Sequence, residues 1–491
     1  MKTKLMSMTV SAACLVALAA SSSAGAMTLS ARRVGQVLEF PYYTANANQG
    51  TLITLVNTTE HVKALKLRFH EAYNGRTVAS FNVYLSPFDV WTADIVANGD
   101  ATALATRDNS CTVPAFSTSL GGVNIANVAF SSAAYTGAQA DGGPATAGRM
   151  REGHFEVFEM GEVTNDAHGL ITAVEHGSNG VPADCGKVVA AWNMGGLWAA
   201  NSSADLSAPT GGLYGSTAIV NAAQGTFFTV APTTIDGFSS GIQHTPPQDA
   251  APDFDTASTQ VDGKYAASVD VGGHIVEARF SKAVDAVSAL FMSEKLFNEY
   301  VVSASAGAQT DWVSTFPTKR FYVDPALNHG LTSLQPFDGA FGADGACAPF
   351  NSQQFDREEL TMAPAGFPEQ PPGTIAPQFC HETSVIALTP AGSSALKTSL
   401  TEPFDVSSVF SSGHFIIDLT NDGHFHPIDN HRLTTSAEGF VLLGLPEVGF
   451  VAENFVNANV TAGVLANYSG VYPHKSTAKC VLATDATKAC P

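Results

Sequence analysis

Charged residues are scarce in this chain, and basic residues are the scarcest. Only 14% of its 491 residues are Asp, Glu, Lys or Arg, against about 25% in ordinary soluble domains. The 24 Lys and Arg are outnumbered by 44 Asp and Glu, which gives a formal net charge of −20. Because an acidic protein repels phosphate backbones and anionic membrane surfaces, we expect no nucleic-acid partner.

Long apolar runs and several short catalytic signatures are also missing. No stretch beyond the N-terminal leader reaches the roughly 20 apolar residues of a membrane-spanning helix, so we expect no transmembrane segment. The sequence contains no His-Glu-x-x-His pair, no phosphate-binding loop and no dinucleotide fingerprint. These absences favour a protein without evident catalytic machinery, although they leave hydrolases that lack a short signature open.

The first 26 residues, MKTKLMSMTVSAACLVALAASSSAGA, have the pattern of a secretory signal peptide. Lys2 and Lys4 form a positive start, an apolar run follows, and Ala24-Gly25-Ala26 suits cleavage after Ala26. Removal of this segment would make the net charge two units more negative. We therefore expect an exported protein of the periplasm, cell surface or extracellular medium.

Six of the seven cysteines lie outside this leader, and an even number in an exported chain predicts disulfides. Six cysteines allow 15 pairings. The simplest is sequential, and it gives Cys111–Cys185, Cys347–Cys380 and Cys480–Cys490. A zinc site is the alternative, but no two cysteines have the Cys-x2-Cys spacing that such sites use.

Alternating residues predict that the chain is mainly β. In KALKLRFHE, Leu65, Leu67 and Phe69 alternate with Lys66, Arg68 and His70, as in a half-buried strand. Asn74-Gly75 then suits a tight hairpin turn. With the flanking segments TLITLVN and DVWTADIV, this predicts four antiparallel strands in a meander. The pattern resembles an immunoglobulin-like β-sandwich of exported bacterial proteins, a resemblance that implies fold alone.

We divide the chain into five parts. The prediction is a signal peptide over 1–26, an N-terminal β-sandwich over 27–111, a middle β-rich region over 112–328, a Pro/Gly-rich disulfide-stapled insertion over 329–380 and a C-terminal β-rich region over 381–491. One helix is predicted near 282–301, because Val284, Val287, Leu290 and Phe291 fall on one face.

Several segments spread over the chain resemble a family of uncharacterised exported or surface proteins of Gram-negative bacteria. They are NVYLSPFDVWTADI, GLYGSTAIVNAAQGTFF, TDWVSTFPTKRFYVD, FDREE and GVLANYSGVYPHK. The resemblance implies an exported, β-rich protein at the cell surface. It carries no known activity and therefore no catalytic residue.

The densest group of metal-capable side chains is NDGHFHPIDNH, residues 421–431. On a strand, His424 and His426 would lie on one face, and Asp422, Asp429 or His431 could complete a zinc or non-haem iron site. The alternative is a polar turn at a strand end, because Asn-Asp-Gly favours turns and Pro427 ends the segment.

Two further groups could bind ligands. Asp253, Asp255 and Asp262 are hard oxygen donors at short spacing and could bind calcium, although a solvated acidic linker is the favoured alternative. Trp192 and Trp198 lie in a Gly-rich stretch and could form an exposed platform for a polysaccharide. Trp91 and Trp312 lie within strand-like alternation, which predicts that they are core residues.

The favoured function is therefore that of an exported or cell-surface structural or binding protein. Its partners would be copies of itself or other surface proteins, bound through strand edges. The alternatives are a metal-assisted hydrolase centred on His424 and His426, and a carbohydrate-binding surface protein that uses Trp192 and Trp198.

Overall fold

The computed structural model describes residues 25–328, 335–337, 339–360, 377–388, 394–401, 410–420, 431–457, 461, 463–464 and 466–491. The protein is mainly β, with 46% strand and 11% helix. Strands of the first 280 residues are β1 Met27–Leu29, β2 Val37–Thr44, β3 Gly50–Asn57, β4 Val62–Glu71, β5 Thr77–Leu85, β6 Val90–Asn98, β7 Ala101–Thr106, β8 Cys111–Val113, β9 Ala126–Ala129, β10 Glu152–Val163, β11 Leu206–Ser207, β12 Leu213–Asn221, β13 Thr226–Val230, β14 Thr233–Asp236, β15 Gln260–Val261, β16 Lys264–Val271 and β17 His274–Phe280.

The remaining strands belong to the C-terminal part of the chain. They are β18 Met292–Ser293, β19 Lys295–Val301, β20 Ala308–Thr315, β21 Ala348–Pro349, β22 Asn351–Asp356, β23 Gln378–Phe379, β24 Thr383–Ala387, β25 Ser412–Asp418, β26 Phe440–Leu443, β27 Leu445–Pro446, β28 Val448–Phe455, β29 Tyr468–Pro473, β30 Lys475–Thr477, β31 Lys479–Leu482 and β32 Asp485–Ala489. The α-helices are short: α1 Leu170–Val174, α2 Cys185–Ala191, α3 Leu197–Ala200, α4 Ala283–Phe291 and α5 Arg320–Val323. Among the described residues, no helix is long and apolar enough to cross a membrane.

Two sheets form the N-terminal half. The large sheet has the order β15-β16-β1-β14-β2-β10-β4-β5-β8, with β11 beside β10 and β17 beside β16. The six-stranded sheet has the order β13-β12-β3-β6-β7-β9. A hydrophobic core that includes Leu65, Leu67 and Phe69 of the large sheet and Leu55 and Trp91 of the six-stranded sheet fills the space between them. The N-terminal half thus contains two packed sheets, and the resemblance to an immunoglobulin-like sandwich stays a prediction.

The opposite face of the large sheet packs against the C-terminal half. Val37 and Phe158 of this face share a second core with α4 and with Trp312 of β20. In the C-terminal half, β24-β20-β28-β29 and β22-β25-β19-β30 form two four-stranded sheets. The large sheet is therefore covered on both faces.

The four strands predicted over residues 51–96 all form, but the meander is wrong. β4 pairs with β5 in the large sheet, while β3 pairs with β6 in the six-stranded sheet. Both sheets also continue past residue 111, the predicted end of the N-terminal sandwich, because β10 lies between β2 and β4, and β12 pairs with β3.

The helix predicted near 282–301 is only half correct. α4 ends at Phe291, and β19 follows between β25 and β30. In β19, Leu296, Asn298 and Tyr300 are buried and alternate with less buried residues, which is the period of two of a strand. Sheet pairing on both sides therefore overrides the helical spacing of this segment.

The three disulfides are Cys111–Cys185, Cys347–Cys380 and Cys480–Cys490, the pairs that sequential pairing gives. Such bonds persist outside the cytoplasm. Trp91 and Trp312 are fully buried, as the sequence predicts.

Candidate functional site

The polar side chains of the central strands form a row on one face of the large sheet. Glu156 on β10 lies opposite Glu39 on β2 and opposite Arg68 on β4. His154, two residues earlier, lies opposite His70. Because side chains alternate along a strand, all five project toward the C-terminal half, away from the core between the two sheets.

Arg320 and Glu382 complete this group from the C-terminal half. Arg320 begins α5, shortly after β20, and Glu382 immediately precedes β24. The backbone N–H of Glu382 donates to the carbonyl of Tyr73 (3.0 Å), in the turn between β4 and β5. This backbone contact holds Glu382 over the row of charged side chains.

The seven side chains form one connected ion network, defined here as Glu39, Arg68, His70, His154, Glu156, Arg320 and Glu382. His154 Nδ1 lies 2.8 Å from Glu39 Oε1, and its Nε2 lies 3.1 Å from Glu382 Oε1. Arg320 donates to Glu382 Oε1 (2.7 Å) and to Glu156 Oε1 (2.5 Å). His70 Nε2 is 3.2 Å from Glu156 Oε2, which is also 3.9 Å from Arg68.

The network is sealed from solvent. His70, His154 and the three glutamates are fully buried, Arg320 is 3% exposed and Arg68 is 6% exposed. Burial of charges at this level costs several kcal/mol per ion unless each charge has an opposite partner. The seven groups meet that condition through one another.

Burial and pairing set the charge of each histidine. Burial alone would lower the pKa of His154, but the carboxylates of Glu39 and Glu382 on its two sides outweigh burial and raise this pKa to about 9. Burial lowers the pKa of His70 to about 3, with Arg320 adding to the effect. His154 is therefore a cation at neutral pH and His70 is neutral.

The carboxyl groups divide in the same way. Burial raises the pKa of Glu39 to about 7, against the opposing effect of His154. Burial also acts to raise the pKa of Glu156 and Glu382, but Arg320 and the neighbouring histidines together outweigh it, and both pKa values are lowered. At neutral pH Arg68, Arg320 and His154 are cations and Glu156 and Glu382 are carboxylates, while Glu39 is partly protonated because its pKa is about 7.

Glu39, His154 and Glu156 also lie close enough together to bind one metal ion, since one ligand atom of each lies within 4.8 Å of the others. Their nitrogen and oxygen donors suit zinc or manganese. However, both nitrogens of His154 already face carboxylates, and Arg320 lies against Glu156. A divalent cation would add two positive charges beside His154 and Arg320, which are already cations, so these residues fit a salt-bridge network better than a metal centre.

Gly75 allows Glu382 to enter the network. Of the predicted turn pair, Gly75 has the positive φ, at +69°. A Cβ atom at this position would stand 2.1 Å from Glu382 Oε2. The turn therefore requires glycine both for its backbone conformation and for the approach of the carboxylate.

Two similar ion clusters lie beside this network in the N-terminal half. The ammonium group of Lys63 is 2.7 Å from Glu159 and 2.6 Å from Glu162. Arg149 pairs with Glu71 (2.7 Å) and Asp141 (2.5 Å). Pairing of buried charges is thus a repeated feature of the large sheet.

The predicted metal ligands Asp422, His424 and His426, with Asp429, lie outside the described residues, so a metal site there stays a prediction. His431 is described and is buried, with Nδ1 2.9 Å from the carbonyl of Leu419.

The three aspartates considered for calcium do not converge on one point. Asp253 caps the one-turn helix Phe254–Thr256 and lies 3.7 Å from Arg68. Asp255 accepts from the N–H of Val284 (3.3 Å), and Asp262 pairs with Arg279.

The expectation of an exposed tryptophan platform is wrong for Trp198, which is 1% exposed. Trp198 stacks on Tyr84, with 5.1 Å between ring centroids. Trp192 is half-buried and donates its indole N–H to the Tyr84 hydroxyl (2.9 Å). The pair packs in a core that joins α2 and α3 to Tyr84 of β5.

Comparison with known proteins gives no match: no family model, no curated protein and no solved structure matches this chain. The resemblance to exported Gram-negative proteins therefore stays a prediction.

Proposed function

We propose that this chain is an exported structural or binding protein of the periplasm, cell surface or extracellular medium. The observation that carries the proposal is the sealed ion network. Its histidines, carboxylates and guanidinium groups are residue types that active sites use, but each is buried and paired with another side chain of the same chain. They hold the large sheet to the C-terminal half, and contacts with other molecules are left to the surface.

Chemical modification of histidines tests this proposal. Diethyl pyrocarbonate should modify His274, which is exposed on β17, much faster than His154 or His70 in the native protein. Mass spectrometry of peptides gives the three rates. If His154 reacts as fast as His274, the network is open to small molecules, and the alternative of an enzyme is favoured.

Mass spectrometry of the protein recovered after expression with its leader tests export. We expect cleavage after Ala26 and a mass lower by six hydrogens than that of the reduced chain, as three disulfides require. A full-length chain with free thiols would contradict the proposal.

Carbohydrate binding is the second candidate, and exposed aromatic side chains on the edge strand β29 favour it. Tyr468 and Tyr472 are 65% and 42% exposed. Phe227, which is 56% exposed, lies beside them, since its N–H donates to Ser469 Oγ (3.4 Å). We name Phe227, Tyr468 and Tyr472 the aromatic patch. Exposed aromatic faces of this kind offer an apolar surface to a sugar ring.

Retardation on immobilised polysaccharides tests this second candidate. The double variant Tyr468→Ala/Tyr472→Ala should lose retardation. The matched control is Tyr214→Ala, which removes a 43% exposed tyrosine on β12. Tyr214 lies six residues before Val220, and Val220 is the β12 residue that pairs with Phe227. Equal mobility of wild type and double variant across a broad panel would remove the aromatic patch as a sugar site.

A further inference from the structure

A cleft of about 770 Å³ opens between the β16–β17 hairpin, the end of α4 and the segment from Glu447 to Gly449. Small-molecule sites have volumes of roughly 300–1,000 Å³. The cleft contains no residue of the ion network and none of the aromatic patch. It is thus separate from both features described above.

The lining of the cleft is acidic and partly apolar. Asp270 and Glu447 contribute carboxyl groups, and none of the described residues that line it is Lys or Arg. Leu290, Phe291 and Val448 contribute apolar surface. The lining therefore complements a ligand that joins a positive charge to an apolar body.

Glu447 has a carboxyl oxygen that lacks a partner. Its side chain is 3% exposed, and its backbone N–H donates to the carbonyl of Phe291 (2.9 Å). Among the described residues Oε1 makes no well-formed hydrogen bond, although the Ser314 hydroxyl, which also lacks a partner, lies near the carboxyl group. A buried polar atom in this condition costs free energy that a ligand with a donor can recover.

His474, the nearest titratable neighbour, does not supply that donor. Its Nε2 is 3.8 Å from Glu447 Oε1 and lies 2.9 Å from the carbonyl of Val313, to which it donates its proton. Its Nδ1 then accepts from Asn298 Nδ2 (3.2 Å). Burial lowers the pKa of His474 to about 4, so the ring is neutral.

Gly449 keeps this wall of the cleft open. A Cβ atom there would stand 2.4 Å from Glu447 Oε1 and 2.1 Å from the carbonyl of Val313. A glycine at this position therefore leaves the Glu447 oxygen free of any side chain from the adjoining residue of β28.

We propose that this cleft binds an aliphatic amine, with its ammonium group on Glu447 and its alkyl body against Leu290, Phe291 and Val448. Burial raises the pKa of Glu447 to about 8, with Ser314 opposing, so the free protein holds the carboxyl protonated at neutral pH. Binding of a cation stabilises the carboxylate, and the Glu447 proton leaves to solvent. The inference does not rest on the proposed function.

Calorimetric titration with n-hexylammonium tests the inference, with n-hexanol as an uncharged ligand of similar shape. The amine should bind and release about one proton at neutral pH, measured as the difference in heat between buffers of different ionisation enthalpy. The affinity should rise from pH 6 to pH 8, because the carboxyl loses its proton more easily over that range. Hexanol that binds as tightly as the amine, or an affinity that does not change with pH, would overturn the inference.

The variant Glu447→Gln keeps the shape of the side chain and removes its charge, and we expect the affinity for n-hexylammonium to fall about tenfold or more. The matched control is Glu453→Gln on β28. It also removes a buried carboxyl group, whose pKa burial raises to about 7, but Glu453 does not line the cleft. It should bind the amine like wild type. Wild-type affinity in Glu447→Gln would overturn the assignment, and the pH series on the wild-type protein decides the question if that variant does not fold.

Discussion

Replacement of Arg320 by Met tests whether the ion network stabilises the fold. The guanidinium group is 3% exposed and contacts Glu156 at 2.5 Å and Glu382 at 2.7 Å. The variant would leave two carboxylates buried beside an apolar side chain. Removal of one partner from a buried ion pair costs about 3–5 kcal/mol, and we expect a loss of that size in the free energy of unfolding.

Urea unfolding followed by tryptophan fluorescence measures this loss, because Trp312 is fully buried in the native state. The matched control is Arg279→Met. Arg279 also bridges two carboxylates, Asp262 (2.5 Å) and Glu438 (2.6 Å), but its side chain is 32% exposed. Solvent screens exposed pairs, so this variant should unfold close to wild type.

The pH dependence of the loss adds a second measurement. In the wild type, Arg320 lowers the pKa of Glu156 and Glu382, so their contribution is present at neutral pH and declines as the pH falls. In Arg320→Met these carboxyls can take up protons, so the difference from wild type should shrink toward pH 5. Equal losses in the two arginine variants, or a difference that does not change with pH, would refute a stabilising role for the network.

Two further predictions concern residues of the same network. Gly75→Ala should lower the free energy of unfolding by about 2–4 kcal/mol, because it combines a positive φ with a clash against Glu382. The control Gly99→Ala, at φ +60° with open space around it, should lower the free energy of unfolding by only about 1 kcal/mol. Equal urea midpoints for the two variants would contradict the predicted clash. The pKa of His154 is raised to about 9, so its contribution to stability is complete below its unfolded pKa of about 6.5 and declines as the pH rises through 9. His154→Gln should lack this alkaline decline in urea midpoints measured from pH 6.5 to pH 9.5, and parallel curves for variant and wild type would show that His154 is not a buried cation.

Alternation along β4 predicts which residues share a face but not what covers each face. The separation of Leu65, Leu67 and Phe69 from Lys66, Arg68 and His70 is confirmed. The strand was expected to be half-buried, and it is buried on both faces. The cover on the polar face comes from distant segments, with Thr245 against Lys66, Asp253 near Arg68, and Arg320 and Glu382 over the rest of the network. Such distant pairing leaves no local pattern in the sequence.

A signal for the network did exist in the composition. In a chain with few charges, Glu39, Arg68, His70, His154 and Glu156 all lie at alternating positions of β-rich segments with apolar neighbours. Charges of both signs at such positions suggest pairing with each other across a sheet. The NDGHFHPIDNH stretch suggests a metal site because its histidines are close in sequence, whereas the network joins residues that are close only in the fold.

The spacing of the network along the chain has a consequence for folding during synthesis. His154 and Glu382 are separated by 228 residues, and Glu156 and Arg320 by 164. A ribosome delivers the N-terminal strands first, and their carboxylates and histidines then have no partners from the C-terminal half. The pairs within the N-terminal half can form earlier, but the ion network is complete only after residue 382 has emerged. Until then, water remains the better partner for this face, and the chain reaches its final compact state late in its own synthesis.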